Sequence, residues 1–130
     1  MAKERKYPAP QPNPETQRFW DAAKQGKLLI CKDNVTGDYY YYPRTVSPFS
    51  FTTNVDWVEA KGTGTIYSVS VMERAPEPYA IGYVELDEGP RIVTNFVDCD
   101  LGSLKIGQKV KLTFKDCEGG EYKLPVFTPA

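Results

Sequence analysis

Apolar and polar positions alternate through the second half of the chain, most cleanly in Ile66-Tyr67-Ser68-Val69-Ser70-Val71-Met72. A period of two belongs to a strand with one face on a core, so the pattern predicts a long strand from about Thr63 to Arg74. Further strands are predicted at Tyr79 to Leu86, Arg91 to Val97, Lys109 to Phe114 and Tyr122 to Phe127. Turn residues separate them: Pro76 to Pro78, Glu88-Gly89-Pro90, Gly107 and Gly119-Gly120. Five strands of this length suit a small closed barrel, in an order compatible with an OB fold. The stretch from Asp98 to Gly107 leaves room only for a short turn between the third and fourth strands.

The first sixty residues follow other rules. Tyr7-Pro8-Ala9-Pro10-Gln11-Pro12-Asn13-Pro14 has proline at every second place, which favours an extended arm that either stands in solvent or lies along a partner. Asn13 reads as a helix cap with Pro14 at the first helical position and Glu15 near the positive helix end. The helix is expected to run to about Gln25 and stop at Gly26. Phe19 and Ala23 share one of its faces, flanked by Trp20 and Ala22. Such a short helix is not stable alone, so Phe19 and Trp20 either pack on their own barrel or anchor another subunit. Leu28 to Cys31 and Tyr39 to Tyr42 read as two short strands joined through Asn34 to Gly37. The four consecutive tyrosines place two rings on each face.

At 130 residues and 14.7 kDa the chain holds one compact domain and a small appendage. A formal charge of -1 offers no global field for a polyanion or an anionic membrane. No apolar run reaches the length of a membrane span, and Met1 to Lys6 leads into prolines instead of a signal-peptide core, so the expected location is cytoplasmic. Cys31, Cys99 and Cys117 are odd in number and irregular in spacing, which fits reduced, inert thiols better than a disulfide framework. There is no histidine, so the commonest general base, the commonest metal ligand and any Ser-His or Cys-His pair are excluded.

Asp33-x-x-Thr36 and Ser47-x-x-Ser50, ten residues apart, stand at the spacing of the two Cys-x-x-Cys knuckles of a zinc ribbon. One carboxylate and three hydroxyls are too hard and too weak a set for structural zinc, so the metal is expected to be absent. The flanking residues carry the comparison further: Phe19-Trp20, Gly26-Lys27-Leu28, Gly37, Tyr42-Pro43-Arg44, Ser47-Pro48, Gly62-Thr63-Gly64-Thr65-Ile66-Tyr67-Ser68, Pro78-Tyr79 and Leu86-Asp87-Glu88-Gly89. Their order resembles the DUF35 family of zinc-ribbon and OB-fold proteins associated with acyl-CoA enzymes, over about Pro8 to Pro129.

That resemblance implies a mainly β chain with a Pro-rich arm and helix over 1–26, a degenerate, metal-free, rubredoxin-like ribbon over 27–60 and a five-stranded OB-fold domain over 61–130. Stacked tyrosines and hydroxyl hydrogen bonds from Thr36, Ser47 and Ser50 are expected to replace the coordination energy, with a partner helping to hold the ribbon. Whether the ribbon is a scaffold or a docking surface stays open.

The resemblance also implies a non-catalytic accessory subunit of a thiolase-superfamily enzyme: a thiolase, a hydroxymethylglutaryl-CoA synthase or a lipid-transfer-protein-like aldolase. The small subunit would aid assembly and the acyl-CoA channel, in a hetero-tetramer of two small and two large chains. Phe19, Trp20, Tyr42 and Arg44 are the expected partner-binding residues. Arg74, Tyr79 and Arg91 are the expected contacts to CoA or the partner, since guanidinium suits phosphate and carboxylate alike.

Two other classes compete. An OB barrel binds single-stranded nucleic acid through aromatic platforms in a basic groove, for which Tyr67, Tyr79, Tyr83 and Phe96 with Lys105, Lys109, Lys111 and Lys115 are the candidates. Catalysis by the chain itself would fall to Asp87, Glu88 and Arg91 beside Tyr79, although Leu86-Asp87-Glu88-Gly89 reads more simply as a hairpin turn.

Overall fold

The computed structural model describes residues 6–130. The chain passes through α1 (Gln17–Lys24), β1 (Leu29–Asp33), β2 (Tyr39–Tyr40), β3 (Val55–Glu59), β4 (Thr63–Met72), β5 (Tyr79–Leu86), β6 (Arg91–Phe96), β7 (Lys109–Asp116) and β8 (Lys123–Pro129). One 3₁₀ turn, Leu101–Ser103, fills the stretch between β6 and β7.

The barrel closes in the order β4-β5-β6-β8-β7. Its pairings are antiparallel except where Phe96 of β6 meets Phe127 of β8 in parallel. This is the mainly β architecture with an OB-type barrel that the alternating pattern predicts. Ala80, Val84 and Leu86 on β5 and Ile92, Thr94 and Phe96 on β6 point inward at period two. A register shift in β4 between Ile66 and Ser68 leaves Tyr67 as the extra residue, turned outward. Beside it, a Cβ on Gly82 would sit 2.0 Å from the Ser68 carbonyl oxygen, so only glycine fits.

The smaller sheet has the order β2-β1-β3. The hydropathy pattern predicts no strand at β3, because Asp56 and Glu59 interrupt its apolar residues; pairing along the whole of β1, Leu29 with Glu59 through Asp33 with Val55, supplies what the pattern lacks. β2 ends at Tyr40, short of the expected Tyr42, where the chain bends and the Tyr40 hydroxyl donates to the Arg44 carbonyl at 2.8 Å.

Regular helix begins at Gln17 with Thr16 in the cap position, so Asn13 and Pro14 lie in the turn before it and not at the cap and first helical position expected. Asn13 Oδ1 accepts from Thr16 N at 2.9 Å while Thr16 Oγ1 accepts from Asn13 N at 3.0 Å. The Pro-rich arm is fastened at its start: Tyr7 is buried, bridges Cys117 and accepts from Glu118 N at 2.8 Å. At that point it neither stands in solvent nor waits for a partner.

One hydrophobic core serves sheet and barrel together. Leu28, Ile30 and Ala60 cluster with Ile66, Val84, Ile92 and Phe127, and Phe19 joins them from the helix. Phe19 meets Trp20 edge-on at 5.1 Å and Tyr41 at 5.9 Å. It is 3 % exposed, so of the two readings of the helix, packing on the chain's own barrel holds for Phe19. Trp20 is half-buried, edge-on to Tyr122 at 6.4 Å. Support for the ribbon thus comes in part from the chain's own helix and barrel. Among the described residues no helix is long and apolar enough to cross a membrane.

Candidate functional site

β1 delivers Asp33 into the space between the two knuckles, where it has no exposure to solvent. Its Oδ2 accepts from Ser47 Oγ at 2.5 Å and Ser50 Oγ at 2.7 Å. Its Oδ1 accepts from Val35 N at 2.8 Å and Thr36 N at 3.0 Å. The hydroxyls of Ser47 and Ser50 meet on Asp33, whereas Thr36, expected to give its hydroxyl, contributes its backbone N–H. The Thr36 hydroxyl faces away and accepts from Asp38 N at 3.2 Å. Burial pushes the Asp33 carboxyl up, but the Ser47 and Ser50 hydroxyls and the Thr36 and Val35 N–H groups outweigh it and hold the group well below the usual carboxylate range.

These residues do not fit zinc. Both oxygens of the one carboxylate are already engaged, the remaining side chains are hydroxyls, and among the described residues no group of three or more His, Cys, Asp and Glu side chains converges. A zinc ribbon gathers negative sulfur around a cation; here hydrogen-bond donors gather around an anion.

The hub fixes the second knuckle. Phe49 N donates to Ser47 Oγ at 3.1 Å, Phe51 N to the Ser47 carbonyl at 3.0 Å, and Ser47 N to the Thr52 carbonyl at 2.9 Å. The loop so held turns Val46, Phe49 and Phe51 out into solvent. Tyr42 and Arg44 border it, also exposed, with the guanidinium 5.8 Å from the Tyr42 ring centre. Of the expected partner-binding residues, Tyr42 and Arg44 are thus available at this tip, Trp20 partly so and Phe19 not. The sequence reading did not single out Val46, Phe49 or Phe51; two phenylalanines flanking a vacated ligand in a loop were the available signal.

The structure does not bring Arg74, Tyr79 and Arg91 together. Tyr79 pairs with Met72 at the hairpin end that carries Arg74, whereas Arg91 pairs with Glu85, about 20 Å further along β5 at the ordinary rise of a strand. Arg91 lies 3.9 Å from the centre of the Tyr67 ring and 3.6 Å from a Glu85 oxygen.

Of the nucleic-acid candidates, Phe96 is in the core, Lys115 is held by Asp98 at 2.8 Å and Lys109 donates to Thr65 Oγ1 at 3.2 Å. Asp87 and Glu88 are turn residues: Asp87 accepts from the Thr63 hydroxyl and Glu88 from Lys61 N at 2.7 Å, fastening the β5–β6 hairpin to the entry of the barrel. The three cysteines are free, and burial is the main cause that raises each thiol above its ordinary pKa.

Comparison with known proteins agrees with this architecture. Residues 57–115 match the family described as the C-terminal OB-fold domain of ChsH2. A probable enoyl-CoA hydratase alpha subunit from Thermomonospora curvata is 37% identical over 98% of this chain. The chain spans only 42% of that relative's length, so the activity in its name belongs to the longer protein. A DUF35 domain-containing scaffold protein from Methanocaldococcus jannaschii is 32% identical, covering 75% of each chain. Among solved structures, a chain of the Ltp2-ChsH2(DUF35) aldolase superposes with a TM-score of 0.83 at 34% identity, covering 93% of this chain and 98% of that one.

Proposed function

The chain belongs to the DUF35 family, and from that premise we propose that it is a non-catalytic accessory subunit of a thiolase-superfamily acyl-CoA enzyme. The observation that carries this reading is the near-complete match, 93% of one chain and 98% of the other, to a chain of an aldolase whose description pairs Ltp2 with ChsH2(DUF35). The chemistry of the chain supports it. The residues that look most like an acid and a base, Asp87 and Glu88, are occupied in a turn, and there is no histidine to replace them.

In this reading the small subunit contributes rigidity. Its helix, ribbon and barrel share one core, so a contact made at the ribbon tip is transmitted to the barrel as a solid body. The reaction, aldol cleavage or a related thiolase-type step on a CoA thioester, is carried out by the partner, in an assembly of two small and two large chains. The free thiols fit a reducing, cytoplasmic compartment. Zinc takes no part: with Asp33 as hub, the purified protein is expected to hold far less than one equivalent of zinc and to keep its melting temperature in a chelator. Stoichiometric zinc by elemental mass spectrometry would refute that.

Native mass spectrometry of the tagged chain purified from its source cells tests the assignment. A stable complex with a thiolase-fold polypeptide is expected. A bare monomer, or a chain carrying nucleic acid, would sink the accessory role.

A further inference from the structure

Apart from the single residues Val35 and Ile106, the exposed large apolar side chains fall into two groups: the barrel face with Tyr67, Tyr83 and Val93, and the ribbon tip with Tyr42, Val46, Phe49 and Phe51. They differ in what already occupies them. On the barrel, Tyr67 is covered by Arg91, itself paired with Glu85. At the tip nothing covers Phe51, which is 79% exposed, the most of any large apolar residue described. Phe51 also has a φ of 60°, the left-handed region that a bulky aromatic residue avoids. The loop is braced on either side of this residue's peptide: Ser50 Oγ donates to Asp33 Oδ2 at 2.7 Å and Phe51 N to the Ser47 carbonyl at 3.0 Å. A buried hub thus holds an unfavourable backbone geometry whose visible result is a phenylalanine in water. Beside it lies an open groove of about 560 Å³ bordered by Tyr42, Arg44, Val46 and Pro48.

We infer that the loop from Val46 to Phe51 is the anchor by which this chain seats in its catalytic subunit, Phe51 entering an apolar cleft whose rim carries a carboxylate for Arg44. This rests on the accessory-subunit reading and adds the surface. The carboxylate follows from charge. Arg44 has no ion pair among the described residues; the Tyr42 ring lies beside it, and Glu15, which borders the same groove, turns its Oε2 to Thr45 N and Oγ1, both at 3.1 Å, and not to the guanidinium. A second copy of this chain is the poorer occupant, because a two-fold contact centred on the tip would set Arg44 against its own copy. Aromatic side chains that fill a partner's pocket dominate interface energetics.

The test uses the full chain and the thiolase-fold subunit that co-purifies with it, expressed and purified separately. Phe51→Gly suits the experiment because glycine accepts a φ of 60° without strain. The variant is expected to melt at the same temperature as the parent or higher, yet to bind about thirtyfold or more weakly, as for loss of an interface hot spot. Arg44→Glu is expected to weaken binding at low salt, and tighter binding would overturn the carboxylate rim. Equal affinity for Phe51→Gly and parent overturns the anchor and leaves the accessory role standing; so does a loss confined to Val93→Ser, which would move the interface to the barrel. A drop in affinity accompanied by a lower melting temperature assigns Phe51 to the fold and also overturns it. Self-association abolished by Phe51→Gly would replace the occupant with a second copy. If the parent binds no thiolase-fold protein, reading and anchor fall together.

Discussion

Ser47→Ala examines the hub without touching its charge. The Ser47 hydroxyl is fully buried, donates to Asp33 Oδ2 at 2.5 Å and accepts from Phe49 N at 3.1 Å. Alanine removes one hydrogen bond to a charged acceptor, a contribution of about 1.5–3 kcal/mol, and strips Phe49 N of its acceptor, which adds up to about 1 kcal/mol where water replaces it in part. A loss of about 2–4 kcal/mol is expected, a large share of the stability of about 5–15 kcal/mol usual for a domain. At this chain length that is a fall in melting temperature of roughly 8–15 °C.

The pH dependence makes the test specific. Asp33 in the folded chain titrates below its ordinary 3.8, so the stability it contributes is present above that value and lost as pH falls through the folded pKa. Without Ser47 the folded pKa moves back up. The gap between parent and variant is therefore full at neutral pH and narrows only well below the ordinary 3.8, as pH falls from the variant's folded pKa toward the parent's. Urea unfolding of both proteins from pH 7 to the acid limit reads this out. A loss under about 0.5 kcal/mol at pH 7, the size of an ordinary surface substitution, would refute the hub as a structural centre. A large gap that stays flat into acid would assign the effect to packing and not to the carboxylate.

Gly82→Ala places a methyl 2.0 Å from the Ser68 carbonyl, a clash that only backbone movement relieves; it is expected to cost about 3 kcal/mol or more, checked by soluble yield and thermal unfolding against Gly102→Ala, where a Cβ meets only Asp100 Oδ1 at an ordinary 3.5 Å. Burial, and to a lesser degree the neighbouring Tyr42, pushes the Tyr41 phenol up to about 12, so an ultraviolet absorbance titration is expected to show a late step that Tyr41→Phe removes; a Tyr41 that ionises with the exposed tyrosines would contradict its place beside Phe19.

The barrel was legible because its signal is local. Alternation marks the inward residues of β5 and β6, and Glu88-Gly89-Pro90 marks the hairpin between them, with no knowledge of partners required. β3 was not, since Asp56 and Glu59 look unlike a buried strand and only the long-range pairing with Asp33 to Leu29 makes it one. The same limit applied at the site. Spacing identified Asp33, Thr36, Ser47 and Ser50, but whether Thr36 gives its hydroxyl or its N–H depends on how the turn closes. Exposure of Phe51 follows from a φ of 60° that no residue type announces, least of all phenylalanine.

Why a ribbon could lose its metal follows from where its apolar residues lie. A free-standing zinc knuckle pair has too few of them to fold, so the metal supplies the folding energy outright. Here Leu28 and Ile30 are buried in the same cluster as Ile66, Val84 and Phe127, and Phe19 closes over the seam between them. With β1 already anchored by that core and by β3, the knuckles need only a local centre to fix their two loops. A carboxylate accepting four hydrogen bonds ties the two loops together at one point, and it satisfies the buried Ser47 hydroxyl that would otherwise be left unpaired. The arrangement inverts the electrostatics of the site: in a thiolate ribbon anions gather around a cation, whereas here donors gather around a carboxylate. The ionised Asp33 accepts from both loops at once, and the second of them presents the exposed Phe49 and Phe51.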